Sequence, residues 1–156
     1  MSTYLDYSDR TVDLVIFSGS IPTSATPLSM ALASPGESGQ INTGILKLAQ
    51  RFLLLLLTPL GSIPHLPLVG CDFMPQLEQG LLRSSLDVHA AFSAAVSDLQ
   101  LQLQAEEEET DPDDERFASA TILSLTLTVD SASLSLLISS RAGDSRKVVL
   151  PLSITV

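Results

Sequence analysis

A chain of 156 residues has the length of one ordinary domain, so a single core is expected and two would be cramped. It is 45% hydrophobic and only 17% charged, against about 25% charged in an average domain, so some apolar or Ser/Thr surface is expected to end against a partner. A net charge of −10 with eight scattered Lys and Arg excludes nucleic acid as the expected partner, because phosphate binding needs cations, and disfavours an anionic membrane for the same reason.

The first ten residues, MSTYLDYSDR, carry two acids and no apolar run, so no secretory leader is expected. Residues 11–18 (TVDLVIFS) are β-branched and aromatic enough for one short strand. From Gly19 to Gly39 the chain is mostly Ser, Pro, Ala and Gly, and Pro22, Pro27 and Pro35 stand too close for a helix. Residues 1–39 therefore read as an extended arm, and 40–156 as the folded unit.

From Gln40 the period becomes helical. Ile41, Ile45, Leu48, Phe52 and Leu56 form a stripe widened by Ala49 and Leu53, which predicts an amphipathic core helix closed by Thr58-Pro59. Its last turn, Leu53 to Leu57, is apolar on every side and is expected to be covered all round. A membrane span needs about 20 apolar residues, and the stretch up to Leu57, broken by Lys47, Gln50 and Arg51, is too short and too polar.

The next segment, TPLGSIPHLPLVGCDF (Thr58 to Phe73), alternates residues that fix φ (Pro59, Pro64, Pro67) with glycines that take what proline cannot (Gly61, Gly70). A rigid connection packed on the helices as a lid is expected. Cys71 is the only cysteine, so no intrachain disulfide or Cys-rich zinc site is possible, and a reducing compartment is the simpler inference. Cys71 has no base beside it in sequence, and His65 and His89 lie outside any metal-ligand spacing. No catalytic residue, metal or cofactor is expected.

A second helix is predicted from Leu86 to Gln104, with Val88, Phe92, Val96, Leu99 and Leu103 as its buried stripe and Ser84 with Asp87 as a capping box. The acidic run Glu106 to Glu115 should end it, since carboxylates oppose the dipole there. It lacks the Gly of a calcium loop and reads as solvated.

After Phe117 the period is two. Leu123, Leu125, Leu127 and Val129, then Leu134, Leu136 and Ile138, then Val148, Leu150, Leu152, Ile154 and Val156 alternate with mostly polar residues, which predicts three strands in an antiparallel meander with turns at Asp130-Ser131 and Ala142 to Asp144. The fold class is α+β: two core helices on a C-terminal meander, preceded by the arm. The last strand suits a sheet edge, because Pro151 cannot donate to a ladder, and Lys147, Val149, Pro151, Ser153 and Thr155 are its candidate partner-binding positions.

The order of helix, Pro/Gly loop, helix, Glu-Arg step and meander resembles the baseplate wedge or sheath-initiator family of contractile phage tails, with relatives in tailocins and type VI secretion. The loop positions that carry the resemblance are Thr58, Gly61, Ser62, Pro67, Gly70 and Asp72, with Pro59 beside them. The family's Glu-Pro-Arg step has its counterpart in Asp114-Glu115-Arg116-Phe117, which keeps the acid and the arginine without the proline. The resemblance covers roughly residues 40–156 and implies a structural protein of the virion, assembled in the host cytoplasm and present in six copies around the tail. The implied partners are the tail sheath protein, wedge proteins through Glu115 and Arg116, and the tail hub or tube. It implies that the meander shares a β-sheet with the first sheath ring. Two other readings stay open. One is a lysozyme-like enzyme degrading peptidoglycan, with Glu78 or Glu115 as its carboxylates; the other is a soluble adaptor or chaperone unrelated to phage.

Overall fold

The computed structural model describes residues 13–14 and 41–153. Their elements are α+β as the sequence predicts. Two short strands, β1 (Asp13–Leu14) and β2 (Ile41–Asn42), pair antiparallel; then come helices α1 (Gly44–Leu57), α2 (Phe73–Glu78) and α3 (Ser85–Glu106), a 3₁₀ turn at Asp113–Glu115, and strands β3 (Phe117–Leu127), β4 (Ser131–Ser140) and β5 (Ser145–Ser153). The sheet order is β3-β4-β5, antiparallel throughout, so β4 is central.

Helix α1 begins three residues later than its periodicity suggests. Ile41 belongs to β2, and Gly44 opens the helix at φ +61°, a conformation that favours glycine. Part of the segment read as an arm is thus tied to the fold: Asp13 pairs with Asn42 and accepts a 3.0 Å hydrogen bond from the buried Gln50 side chain. The remainder of the arm lies outside the described residues, as do Thr155 and the last core positions, Ile154 and Val156.

Helix α3 matches its prediction closely. Ser84 Oγ accepts from the Asp87 N–H at 3.1 Å, and Asp87 Oδ2 accepts from the Ser84 N–H at 2.9 Å, a reciprocal capping box. Val88, Phe92, Leu99 and Leu103 are buried, with Ala95 fully and Val96 partly enclosed beside them. The helix ends at Glu106, as the acidic run requires.

The core lies between the helices and one face of the sheet. Phe52 of α1 stacks on Phe117 of β3 (centroids 5.4 Å apart, planes 4° apart) and meets Phe92 of α3 edge-on at 6.5 Å, while Phe73 of α2 meets Phe92 at 6.0 Å. One aromatic cluster therefore joins all three helices to the sheet. Leu134, Leu136 and Ile138 of β4 are fully enclosed, and Val148, Leu150 and Leu152 of β5 lie beside them. Each such side chain contributes about 1.5–3 kcal/mol on burial.

Four expectations need correction. The run Leu53 to Leu57 is not covered all round: Leu53 and Leu56 are buried, but Leu54 is exposed and Leu55 and Leu57 half-buried, because a helix on a layered core hides one side only. The loop is not a packed lid, since every residue from 60 to 68 is exposed. A third helix, α2, occupies the connection between the two predicted ones. In β3 the strict alternation fails. Register shifts fall between Phe117 and Ser119 and between Ile122 and Ser124, so Leu123 leaves the core face, while Val129 sits exposed in the turn.

Candidate functional site

Three sets of residues were singled out by sequence: the Glu115-Arg116 step, the Pro/Gly loop and the last strand. The structure places them at three different locations.

Glu115 is turned inward. Its Oε2 lies 2.6 Å from Lys47 Nζ and its Oε1 accepts the Gly44 N–H at 3.0 Å. The carboxylate therefore closes the N-terminus of α1 from a residue far away in sequence, where orphan N–H groups and the helix dipole both favour an anion. Arg116 turns the other way: its guanidinium donates to the carbonyls of Glu108 and Glu109 at 2.8 and 3.0 Å, just beyond the end of α3, and stands 3.7 Å from Asp113. Both side chains hold the corner between α1, α3 and the sheet. Nearby, Arg141 pairs with Glu107 at 3.0 Å, and Arg51 pairs with Glu106. The acidic run is thus only partly solvated. Glu78, at the end of α2, is exposed.

The loop residues form a clasp. The Cys71 N–H donates to Thr58 O at 3.0 Å, the Leu60 N–H to Cys71 O at 3.2 Å, and Thr58 Oγ1 to Leu54 O at 2.6 Å. Pro59 and Cys71 form an isolated parallel bridge. Gly70 at φ +100° has both backbone groups bound by the Gln102 amide of α3: its N–H donates to Oε1 at 3.0 Å and its carbonyl accepts from Nε2 at 2.8 Å. A β-carbon on Gly70 would stand 2.2 Å from Thr58 O. Gly61, at φ +76°, faces open space, Pro67 and Asp72 are exposed, and Asp72 precedes α2. Burial raises the Cys71 thiol above its ordinary value, so it is a thiol, not a thiolate, at neutral pH.

The last strand is an edge. The Thr128 N–H donates to Ser131 O at 2.8 Å, so Ser131 turns its backbone toward β3, and two-residue alternation carries this to Ser133 and Ser135. Their partners across the other ladder are Ser153, Pro151 and Val149. Those β5 residues therefore direct their backbone groups away from β4, and Pro151, which has no N–H, falls where none is needed. Lys147, Pro151 and Ser153 are exposed and Val149 is half-buried. Among the described residues no strand lies beyond β5.

Other chemistry is sparse. No group of three His, Cys, Asp or Glu among the described residues is disposed to hold a metal ion, and no described helix is long and apolar enough to cross a membrane. His65 is exposed, and His89 Nδ1 lies 2.7 Å from Ser85 O on the solvent side of α3.

Sequence reasoning passed over Lys47, Gln50 and Gln102, the three polar side chains that secure Glu115, Asp13 and Gly70. Lys47 and Gln50 stand outside the apolar stripe, and contacts at such sequence separation leave no local signal. Comparison with known proteins adds no relative: no family model, curated protein or solved structure matches the chain.

Proposed function

We propose that this chain is a structural component of a contractile-tail baseplate, which links the wedge proteins to the first sheath ring and nucleates the sheath by sharing a β-strand. The observation that supports this best is the β5 edge, whose outward backbone groups at Lys147, Val149 and Ser153 can pair with an incoming strand. Backbone pairing supplies affinity with little demand on sequence. Pro151 supplies register, because a partner strand finds a carbonyl but no donor at that one position. In this reading the wedge contact passes through the corner that Glu115 and Arg116 build, not through the Glu115 carboxylate, which is already engaged.

The test is to mix purified baseplates carrying Ser153→Ala or Ser153→Pro with sheath subunits and count sheathed tails by electron microscopy. Alanine keeps the outward N–H and should leave sheath growth intact; proline removes it and should block growth. Normal sheaths on incorporated Ser153→Pro baseplates would refute strand sharing at this edge.

A further inference from the structure

The loop after α1 exposes four large apolar side chains, Leu60, Ile63, Leu66 and Leu68, the last 79% exposed. Residues 59–69 include no Asp, Glu, Lys or Arg. Because the clasp holds both loop ends and prolines fix several φ angles, this surface is already shaped before it meets anything, which lowers the entropic cost of docking. An exposed apolar surface of this kind marks an interaction site.

The same chain carries a counterpart. A groove of about 430 Å³ opens between the α2–α3 connection and the β3–β4 turn, lined by Leu77, Leu82, Leu127 and Val129 with Gly80, Thr128 and Arg83. Its volume falls within the range of sites that enclose small ligands or a few side chains. Arg83, its one charge, donates from Nε to Gly80 O at 3.2 Å and has no ion-pair partner among the described residues.

Loop and groove sit at opposite ends of α3. Gln102 holds the loop and Arg83 precedes the first turn, so about 25 Å of helix separates them at 1.5 Å per residue. The described loop cannot reach the groove of its own molecule, whereas the loop of a second copy can. Exposed Glu78 and Asp130 flank the groove, but the loop carries no acid or base, so in a chain of net charge −10 it is a surface that a second copy's acidic rim meets without like-charge repulsion.

We propose that copies of this chain associate head to tail, with the apolar loop of one seated in the α2/β3–β4 groove of the next and Arg83 donating to the loop's carbonyls. Two different surfaces then meet at every contact, so the products are rings or open chains, not two-fold dimers. This inference is independent of the β5 edge.

The test is sedimentation velocity on the full chain across a concentration series, with Leu68→Asp for the loop and Val129→Asp for the groove. Both side chains are about four-fifths exposed, and thermal melting of each variant verifies the fold; Leu66→Ser serves as a milder loop variant. The wild type should form species larger than a dimer as concentration rises. Each Asp variant alone should need at least about tenfold more protein to associate. An equimolar mixture of the two should stop at a dimer, because one working loop and one working groove remain between them. The proposal is overturned by a wild type that stays monomeric up to about 1 mM, by variants that assemble like the wild type, or by a mixture that stays monomeric.

Discussion

Lys47 and Glu115 form an ion pair at 2.6 Å across 68 residues of sequence, with side chains only 9% and 3% exposed. The pair is enclosed, and the same carboxylate also holds the first N–H of α1. Breaking a buried ion pair by removing one partner costs about 3–5 kcal/mol. Glu115→Gln should therefore lower unfolding stability by that order in urea titrations. The double variant Lys47→Met with Glu115→Gln should lose less, because the buried ammonium no longer has to be accommodated without this carboxylate and the glutamine can still accept from Gly44. A double variant at least as unstable as Glu115→Gln would show that the pair itself carries the stability.

Gly70 and Gly61 both have positive φ but differ in surroundings. Gly61→Ala should cost about 1–2 kcal/mol, the penalty of the left-handed conformation alone. Gly70→Ala must in addition displace the Thr58 carbonyl and should cost well over that. Gln102→Ala, which abandons both backbone groups of Gly70, should cost about 1–3 kcal/mol. Thermal melting of the three variants gives the ranking. Equal losses at the two glycines would mean that the clasp yields easily.

Hydrogen bonds from Ser84, its side chain first and then its backbone N–H, hold the Asp87 carboxyl below the ordinary value of 3.8. A depressed carboxyl stabilises the fold above its unfolded value and loses that contribution as pH falls through the lower folded value. The first turn of α3 should therefore loosen as the pH is taken below 3.8. Hydrogen exchange at the amides of Ser84 and Asp87 would report it, and Asp87→Asn should show the looser turn already at neutral pH with little further change on acidification.

The phase of the β5 ladder separates two proline substitutions. Leu150 pairs with Leu134 in the core-facing register, so Leu150→Pro loses a ladder donor and a buried side chain and should cost about 3 kcal/mol or more. Ser153→Pro removes an outward N–H and should stay within about 1 kcal/mol of wild type. Urea midpoints for the two decide it, and similar losses would mean that the phase is the reverse.

Much of this fold is legible in sequence where a periodic pattern faces a single core. The stripe Val88-Phe92-Leu99-Leu103, the Ser84/Asp87 cap, the alternation of β4 and the edge position of β5 all obey local rules, and the structure follows them. Leu123 shows where such rules stop: the bulge that moves it off the core face depends on how β3 lies against β4, and the alternation of the sequence gives no sign of it. Leu54 fails for a similar reason. Composition says that a turn is apolar; only the neighbours decide how much of it is hidden. The site residues are less legible still. Glu115 and Arg116 attract attention as charges beside a strand, yet what each one holds is a backbone group or a cation brought close by folding.

The two register shifts in β3 give the sheet unequal margins. A strand that approached the β3 side would lose step with its template twice, near Ala118 and again near Leu123, whereas the β4–β5 register runs without a shift. Irregular margins of this kind protect a sheet against accidental extension. Among the described residues the β5 side is therefore the margin that offers an added strand a template in constant register.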